Sequence, residues 1–146
     1  YDMNMLNKAV SFNELSILTA NLVENIVQAI ATSSYSGNSQ IIRMAIQQIN
    51  ENYKNRISLK TVANHLHTNP SYLSMLFKQE MGVTFTDYLN QVRINRSCEL
   101  LTNTNLSLID VSLQSGFDDQ SYFSKVFKKI KGVTPKSYRN GNMGKK

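Results

Sequence analysis

The side chains with the clearest chemical potential lie in a short stretch near the carboxyl end. Apolar residues recur there at three- and four-residue steps, at Phe123, Val126, Phe127 and Ile130. This is the period of a helix with one buried face. The opposite face is polar and basic, with Gln120, Ser121, Ser124, Lys125 and Lys128. Since neutral hydrogen-bonding groups can read base edges and lysines can neutralise phosphate, this face is a candidate DNA-reading surface.

The residues before and after this helix predict the elements that position it. Ser107 stands three residues before Asp110 and opens a short apolar segment that ends at Gly116, which is typical of a capped short helix. Asp119 can cap the next helix after a turn. A last short helix is predicted to begin near Pro135, where a missing N–H costs nothing. The stretch therefore predicts a helix-turn-helix followed by a short helix.

The same pattern occurs about fifty residues earlier. Ser58 matches Ser107 at an offset of 49. Seven further residues match at an offset of 50: Ser71, Tyr72, Phe77, Lys78, Gly82, Thr84 and Tyr88 with Ser121, Tyr122, Phe127, Lys128, Gly132, Thr134 and Tyr138. The slip of one residue falls between His67 and Asn69, inside the predicted turn, where an insertion is tolerated. The chain therefore contains two helix-turn-helix units.

Two stretches also resemble a known family. Residues 116–139 spell G-F-x-D-x-S-Y-F-S-K-x-F-K-K-x-x-G-x-T-P-x-x-Y-R, and residues 69–78 spell N-P-S-Y-L-S-x-L-F-K. This spelling resembles the signature of the AraC/XylS family of bacterial transcription regulators, over about residues 41–139. The resemblance implies an all-α domain that binds double-stranded DNA sequence-specifically through two helices in adjacent major grooves. Two residues depart from the family pattern, because Ser112 stands where alanine is usual and Met75 where a polar reader is common.

Spacing and resemblance together predict the contacts with DNA. The base contacts are assigned to Ser71, Ser74 and Met75 in the first unit and to Gln120, Ser121, Ser124 and Lys125 in the second. Gln120 suits adenine, Lys125 suits guanine, and Met75 offers only apolar contact, for example with a thymine methyl. The predicted phosphate contacts are Lys78, Lys128, Lys129 and Arg139. For each of these residues, the alternative is a solvated position with no ligand. For the domain as a whole, the alternative is a protein-interaction or non-specific DNA-binding module.

Charge and composition narrow the class of protein. Residues 1–39 hold one cation and three acids, whereas residues 40–146 hold 15 cations and seven acids, a net charge of +8 that suits a polyanion. Two histidines, one cysteine and scattered glycines supply no catalytic constellation or phosphate loop, so no enzyme activity and no cofactor are predicted. His65 and His67 do not share a helix face, so no metal site is predicted.

The predicted fold is all-α, with two helix-turn-helix subdomains joined by a long linker helix. Residues 1–39 are assigned to an amino-terminal helix, from about Phe12 to Ala31, and a flexible linker near residues 32–40, as the end of a sensor or dimerisation region. The DNA-binding domain is assigned to residues 40–140, with a first unit at 40–83, a linker helix at 84–102 and a second unit at 103–140. Residues 141–146 are expected to be a disordered tail.

The linker helix is expected to pack on both units, because its apolar face changes midway. Phe85 and Leu89 lie on one stripe, and Ile94 and Leu101 lie on another. Cys98 is interpreted as a buried small residue rather than a reactive thiol. No apolar run is long enough to span a membrane, so a cytoplasmic location is expected. The apolar stripe of the amino-terminal helix could also pack on the downstream domain, so a homodimer through this helix is left open, as is a contact with RNA polymerase.

Overall fold

The structure, a computed structural model, describes the backbone of residues 3–143 and the side chains of residue 16 and of residues 19–30 and 37–141. All regular secondary structure in this described part is helical. The helices are α1 (Met3–Asn52), α2 (Leu59–His65), α3 (Pro70–Met81), α4 (Phe85–Asn103), α5 (Leu108–Gln114), α6 (Gln120–Lys131) and α7 (Pro135–Met143). The predicted all-α fold is confirmed.

Helix α1 differs from its prediction. It begins at Met3 and ends at Asn52, so the predicted helix of residues 12–31 is too short and the flexible linker at residues 32–40 is wrong. The linker segment contains Gly37 and several serines but no proline. Glycine and serine only weaken a helix by up to about 1 kcal/mol each, whereas proline would block it. Leu15 and Leu18, which began the predicted apolar stripe, have side chains outside the described part.

The chain divides into two compact units, Tyr1–Gln40 and Ile41–Lys146. The second of these compact units, residues 41–146, holds the carboxyl end of α1 and all of α2–α7. It therefore contains both predicted helix-turn-helix units. Its start lies beside the boundary that the sequence predicts after residue 39. Within the described residues, no helix has the length and apolar character that a bilayer crossing requires.

The duplication is visible in the helix lengths. Helices α2 and α5 each have seven residues, and α3 and α6 each have 12. The turn between α2 and α3 covers residues 66–69, and the turn between α5 and α6 covers residues 115–119. The second turn is one residue longer, so the extra residue lies in the loop, as the change of offset predicts.

The predicted caps are present in both units. Ser58 and Ser107 begin α2 and α5, and their hydroxyls accept hydrogen bonds from backbone N–H groups three residues on, at 3.2 and 3.1 Å. Asn69 caps α3 ahead of Pro70, and Asp119 caps α6 by accepting from the N–H of Tyr122 at 2.6 Å. These side chains satisfy donors that a helix start otherwise leaves unbonded.

The two turns begin with the same backbone geometry but have different residues at the left-handed position. In the second unit this position is Gly116, with φ of 92°, and in the first unit it is His67, with φ of 53°. The next residue closes the turn in both cases: the N–H of Thr68 donates to Ala63 at 2.9 Å, and that of Phe117 donates to Ser112 at 2.9 Å. Ala63 and Ser112 therefore occupy equivalent positions.

Ser112, the departure from the family pattern, fits its position. It is 1% exposed, and its hydroxyl donates to the carbonyl of Ile109 at 2.8 Å, one turn earlier in α5. This is the back-bond that a buried helical serine makes. The extra oxygen is satisfied inside the helix, so the fold accommodates it without a partner from α6.

Helix α4 contributes to both hydrophobic cores. Phe85 and Leu89 belong to the first core, with the carboxyl end of α1, α2 and α3, whereas Ile94 and Leu101 belong to the second, with α5 and α6. The predicted change of apolar face along this helix is confirmed. Because two turns of one rigid helix are packed into each core, α4 fixes the two helix-turn-helix units relative to each other.

Two smaller predictions need correction. Cys98 is only partly buried, and the buried small side chain at this point of α4 is Ser97, whose hydroxyl donates to Ile94 at 2.7 Å. Burial raises the pKa of the Cys98 thiol, which is the opposite of a reactive thiolate. The tail was predicted to begin at residue 141, but α7 continues to Met143 because no proline interrupts it; residues 144–146 lie outside the described part.

Candidate nucleic-acid interface

Helix α6 presents the polar face that its sequence predicts. Phe123, Val126 and Phe127 are buried in the second core. The opposite side carries the predicted reading residues, of which Ser124 is half-buried and the others are exposed: Gln120, Ser121, Ser124 and Lys125. A helix held by one face, with hydrogen-bonding groups on the other, has the arrangement that major-groove reading requires.

Helix α3 is the counterpart of α6 in the first unit. Leu73, Leu76 and Phe77 are buried, and the predicted reading residues Ser71, Ser74 and Met75 are exposed. Met75 is 57% exposed, which is high for a large apolar side chain. It stands in the register of Lys125 in α6, so the two faces have the same geometry but different chemistry.

The predicted phosphate contacts divide into two groups. Lys78, Lys128 and Lys129 are exposed at the ends of α3 and α6. Arg139 is half-buried, and its Nη2 donates to the backbone carbonyl of Leu106 at 2.7 Å, so it ties α7 to the loop before α5. This geometry favours a structural role for Arg139. The sequence could not separate the two groups, since all four residues are cations within predicted helices.

The basic side of α6 continues towards α4. A groove of about 460 Å³ between these helices is lined by Lys125 and Lys129 together with Val83, Thr86, Asp87 and Tyr122, among others. Asp87 accepts from the hydroxyl of Thr84 at 2.7 Å and belongs to the start of α4. The lysines of α6 therefore form one edge of a concave surface between the two units.

A set of contacts between the two units was missed by the sequence reasoning. Arg93, in the middle of α4, donates from Nε to the carbonyl of Tyr53 at 2.8 Å and from an Nη to that of Asn55 at 3.1 Å. Its guanidinium also lies over the ring of Phe117, 5.6 Å from the ring centre. The sequence feature that could have indicated these contacts is an arginine at the point where the apolar stripe of α4 changes face.

Further contacts flank Arg93 on both sides. The amide of Asn90 donates to the hydroxyl of Tyr122 at 3.2 Å, and Arg56 pairs with Asp118 at 3.4 Å. Burial lowers the pKa of Arg93 and the charge of Asp118 opposes this shift, but an arginine stays cationic at neutral pH. We call this set the seam: Tyr53, Asn55, Arg56, Asn90, Arg93, Gly116, Phe117, Asp118 and Tyr122.

The metal-ligating residue types are not brought together. Among the described residues, no group of three or more His, Cys, Asp and Glu side chains is close enough to hold a metal ion. His65 ends α2 and His67 occupies the left-handed turn position. Neither histidine lies on the reading face of α3.

The family comparison matches the second compact unit. A family model described as a helix-turn-helix domain matches residues 62–141. The chain is 34% identical over 130 residues to the arabinose operon regulatory protein of Escherichia coli K12, covering 86% of this chain and 44% of that protein. It is 35% identical over 91 residues to the melibiose operon regulatory protein of the same strain, covering 62% of this chain and 30% of that protein. The chain thus spans less than half of these relatives.

Solved structures agree with the sequence comparison. The C-terminal domain of AraT, a response regulator from Geobacillus stearothermophilus, is 38% identical, with a TM-score of 0.67 over 69% of this chain and 84% of that one. The DNA-binding domain of AdpA, solved with a target DNA, has the same fold at 17% identity, with a TM-score of 0.68 over 72% of this chain and 95% of that one. The chain belongs to the AraC family of helix-turn-helix transcription regulators.

Proposed function

We propose that this chain binds double-stranded DNA sequence-specifically, with α3 and α6 in two successive major grooves. The observation that carries the proposal is the pair of equal 12-residue helices, each buried on one face and polar on the other. Helix α4 has 19 residues and a length of roughly 28 Å. This is close to the ~34 Å between major grooves on one side of a duplex.

Each reading helix has a different assigned chemistry. In α6, Gln120 is assigned to an adenine and Lys125 to a guanine, because these pairings match donors and acceptors on the base edges. In α3, Ser71 and Ser74 offer small hydroxyl groups, and Met75 offers apolar contact to a thymine methyl. The second unit therefore supplies most of the base discrimination, and the first unit supplies a weaker or different preference.

Phosphate binding is assigned to lysines at the ends of the reading helices. Lys78, Lys128 and Lys129 are exposed and lie beside the reading faces. Each phosphate contact releases counterions and adds about 0.9 to the slope of log affinity against log salt. Arg139 is left out of this set, since its guanidinium is bonded to Leu106.

Selection from a randomised duplex pool tests the proposal. The enriched site is expected to have two blocks about one helical turn apart. Lys125→Ala is expected to relax the preference at one or two base pairs and to lower affinity by roughly 10- to 100-fold. Lys131→Ala is the matched control, because it removes the same charge from the same helix. The ammonium group of Lys131 donates to Asn95 of α4 at 3.3 Å, and Lys131 is not among the predicted reading residues.

The outcomes separate reading from charge attraction. If Lys125→Ala and Lys131→Ala lower affinity equally and leave base preference unchanged, Lys125 does not read a base. A pool with no enriched sequence and a steep salt dependence would contradict sequence-specific binding altogether. Helices α3 and α6 would then be assigned to non-specific DNA binding or to docking of another protein.

The amino-terminal unit is assigned to contact between two copies of the chain. Between residues 19 and 30 five large apolar side chains are at least 49% exposed, namely Leu22, Val23, Ile26, Val27 and Ile30. Such a stripe suits a helix–helix contact, so the proposal includes a homodimer, which sedimentation of the whole chain tests. The proposal also includes a cytoplasmic location, where bacterial DNA lies, and a contact with RNA polymerase beside the promoter.

A further inference from the structure

We infer that Arg93 is a positioning residue that sets the spacing at which the two half-sites of the DNA are read. The inference rests on the proposed two-helix reading of DNA. It starts from the position of Arg93 on α4, between the last buried residues of the first core and the first of the second. From there its side chain reaches backbone carbonyls of the first unit and an aromatic ring of the second.

The first unit holds Arg93 through backbone carbonyls. Tyr53 and Asn55 lie in the loop after α1, and their carbonyls accept from Nε at 2.8 Å and from Nη2 at 3.1 Å. Two donors of one planar group fix its orientation as well as its position. Lysine at this position would keep the charge but not the paired geometry.

The second unit meets the same group from the other side. The guanidinium lies over Phe117, which is 2% exposed and belongs to the second core. Beside it, Gly116 is packed so closely that an added Cβ would lie 2.3 Å from the carbonyl oxygen of Tyr53 and 2.9 Å from Nε of Arg93. The turn before α6 is therefore pressed directly against the loop after α1.

This contact controls the direction of α6. The turn at Gly116 leads through Asp119 into the first residue of α6, and Asn90 holds Tyr122 in the first turn of that helix at 3.2 Å. The seam thus fixes the start of α6 relative to the first unit. If the two reading helices cannot rotate relative to each other, they accept only one half-site spacing.

The test compares duplexes in which only the spacing changes. The selected two-block site is prepared with its own spacing, with two added base pairs between the blocks, and with one block scrambled. Two added base pairs rotate the second block by roughly 70° around the duplex. The wild-type chain is expected to lose about tenfold or more in affinity, since one helix loses its site.

Arg93→Lys is expected to bind the original site more weakly. The ratio of its affinities for the original and the lengthened spacing is expected to be at least threefold smaller than that of the wild-type chain. Its affinity for the duplex with one intact block is expected to be unchanged. Arg96→Lys is the matched control, because Arg96 lies on the same helix and pairs with Glu99 of its own helix. An unchanged spacing penalty in folded Arg93→Lys overturns the inference.

A second measurement needs no DNA. Spin labels at the exposed residues Gln79 in α3 and Gln114 in α5, in a Cys98→Ser background, report the distance between the two units. Arg93→Lys is expected to broaden the distance distribution, and Arg96→Lys is expected to leave it narrow. If Arg93→Lys does not fold, Tyr122→Phe removes only the hydroxyl that accepts from Asn90 and is expected to broaden the distribution to a smaller extent.

The two proposals fail in different ways. A wild-type chain without base preference refutes sequence-specific reading, while the label distances still decide whether Arg93 holds the two units. Base preference with equal label distributions in Arg93→Lys and Arg96→Lys leaves DNA reading intact and refutes the role of Arg93. A broadened distribution with an unchanged spacing penalty also refutes the inference, because the DNA would then impose the spacing.

Discussion

Replacing Gly116 by alanine is expected to destabilise the chain far more than the same change at Gly132. Both glycines have left-handed backbones, with φ of 92° and 77°. A Cβ on Gly132 would meet no atom within 4 Å, whereas a Cβ on Gly116 would lie 2.3 Å from the carbonyl oxygen of Tyr53. The pair therefore separates the cost of the backbone conformation from the cost of the close contact.

The magnitudes follow from these two environments. A left-handed alanine costs about 1–2 kcal/mol, partly offset by the lower entropy of its unfolded chain, so Gly132→Ala is expected to cost about 1 kcal/mol. At Gly116 the Tyr53 carbonyl must also move away from Arg93, whose charged hydrogen bond contributes about 1.5–3 kcal/mol. Gly116→Ala is thus expected to lower the free energy of unfolding by roughly 2.5–4 kcal/mol.

Urea unfolding followed by circular dichroism measures the difference. The expected gap between the two variants is about 1.5–3 kcal/mol, which exceeds the usual error of such extrapolations for a domain of this stability. If both variants lose the same free energy within about 0.5 kcal/mol, then the turn before α6 does not press against the loop after α1. The inference about Arg93 would lose its packing argument at the same time.

Two further predictions concern one side chain in α5 and one in α4. Ser112→Ala is expected to keep the fold and to change the free energy of unfolding by less than about 1 kcal/mol, as urea unfolding can show, because Ala63 fills the equivalent position and alanine favours the helix. Cys98 is expected to react with iodoacetamide more slowly than a free thiol at pH 8, since burial raises its pKa. Because the folded pKa is raised, the stability that the neutral thiol contributes is complete below the unfolded pKa and is lost as pH rises through the folded pKa. A reaction rate equal to that of an unfolded control peptide would contradict the burial of Cys98.

The fold was predictable wherever a local pattern had one structural solution. Capping residues such as Ser107 and Asp119 stood directly before apolar helical periods, and the helices begin at those places. The switch of apolar face in α4 required contact with two separate cores, and both are present. In such stretches the local preference and the tertiary packing agree, so the sequence alone suffices.

The errors arise where composition was used in place of a specific signal. Residues 32–40 have the small polar side chains of a linker, but nothing in them prevents helical hydrogen bonding, and α1 continues through them. His67 at a left-handed position was equally invisible, since its turn lacks the glycine that marks the turn of the second unit. Tertiary contacts around the turn determine the backbone there, and a single residue type does not.

The sequence predicted which residues of the candidate interface are exposed, but it did not predict the role of each cation. The exposed faces of α3 and α6 follow from helical periodicity, which places Ser71 and Ser121 on the side away from the buried phenylalanines. The seam could not be predicted in the same way, because it joins residues of the loop after α1, of α4, of the turn before α6 and of α6 that are up to 69 positions apart (Tyr53 and Tyr122). Long-range contacts of this kind decide which cations hydrogen-bond within the protein and which are available to contact phosphate.

The arginines and lysines of residues 41–146 are therefore proposed to have different functions. Arg93 and Arg139 donate to backbone carbonyls at 2.8 and 2.7 Å, where a planar group with several donors is required. The exposed cations beside the reading faces are the lysines at positions 78, 125, 128 and 129, whose single charged groups suit phosphate or one guanine edge. In the proposed complex, arginine would set the geometry in which lysine meets DNA. A loss of Arg93 should therefore alter where the second unit can bind, whereas a loss of Lys125 should alter which base it prefers.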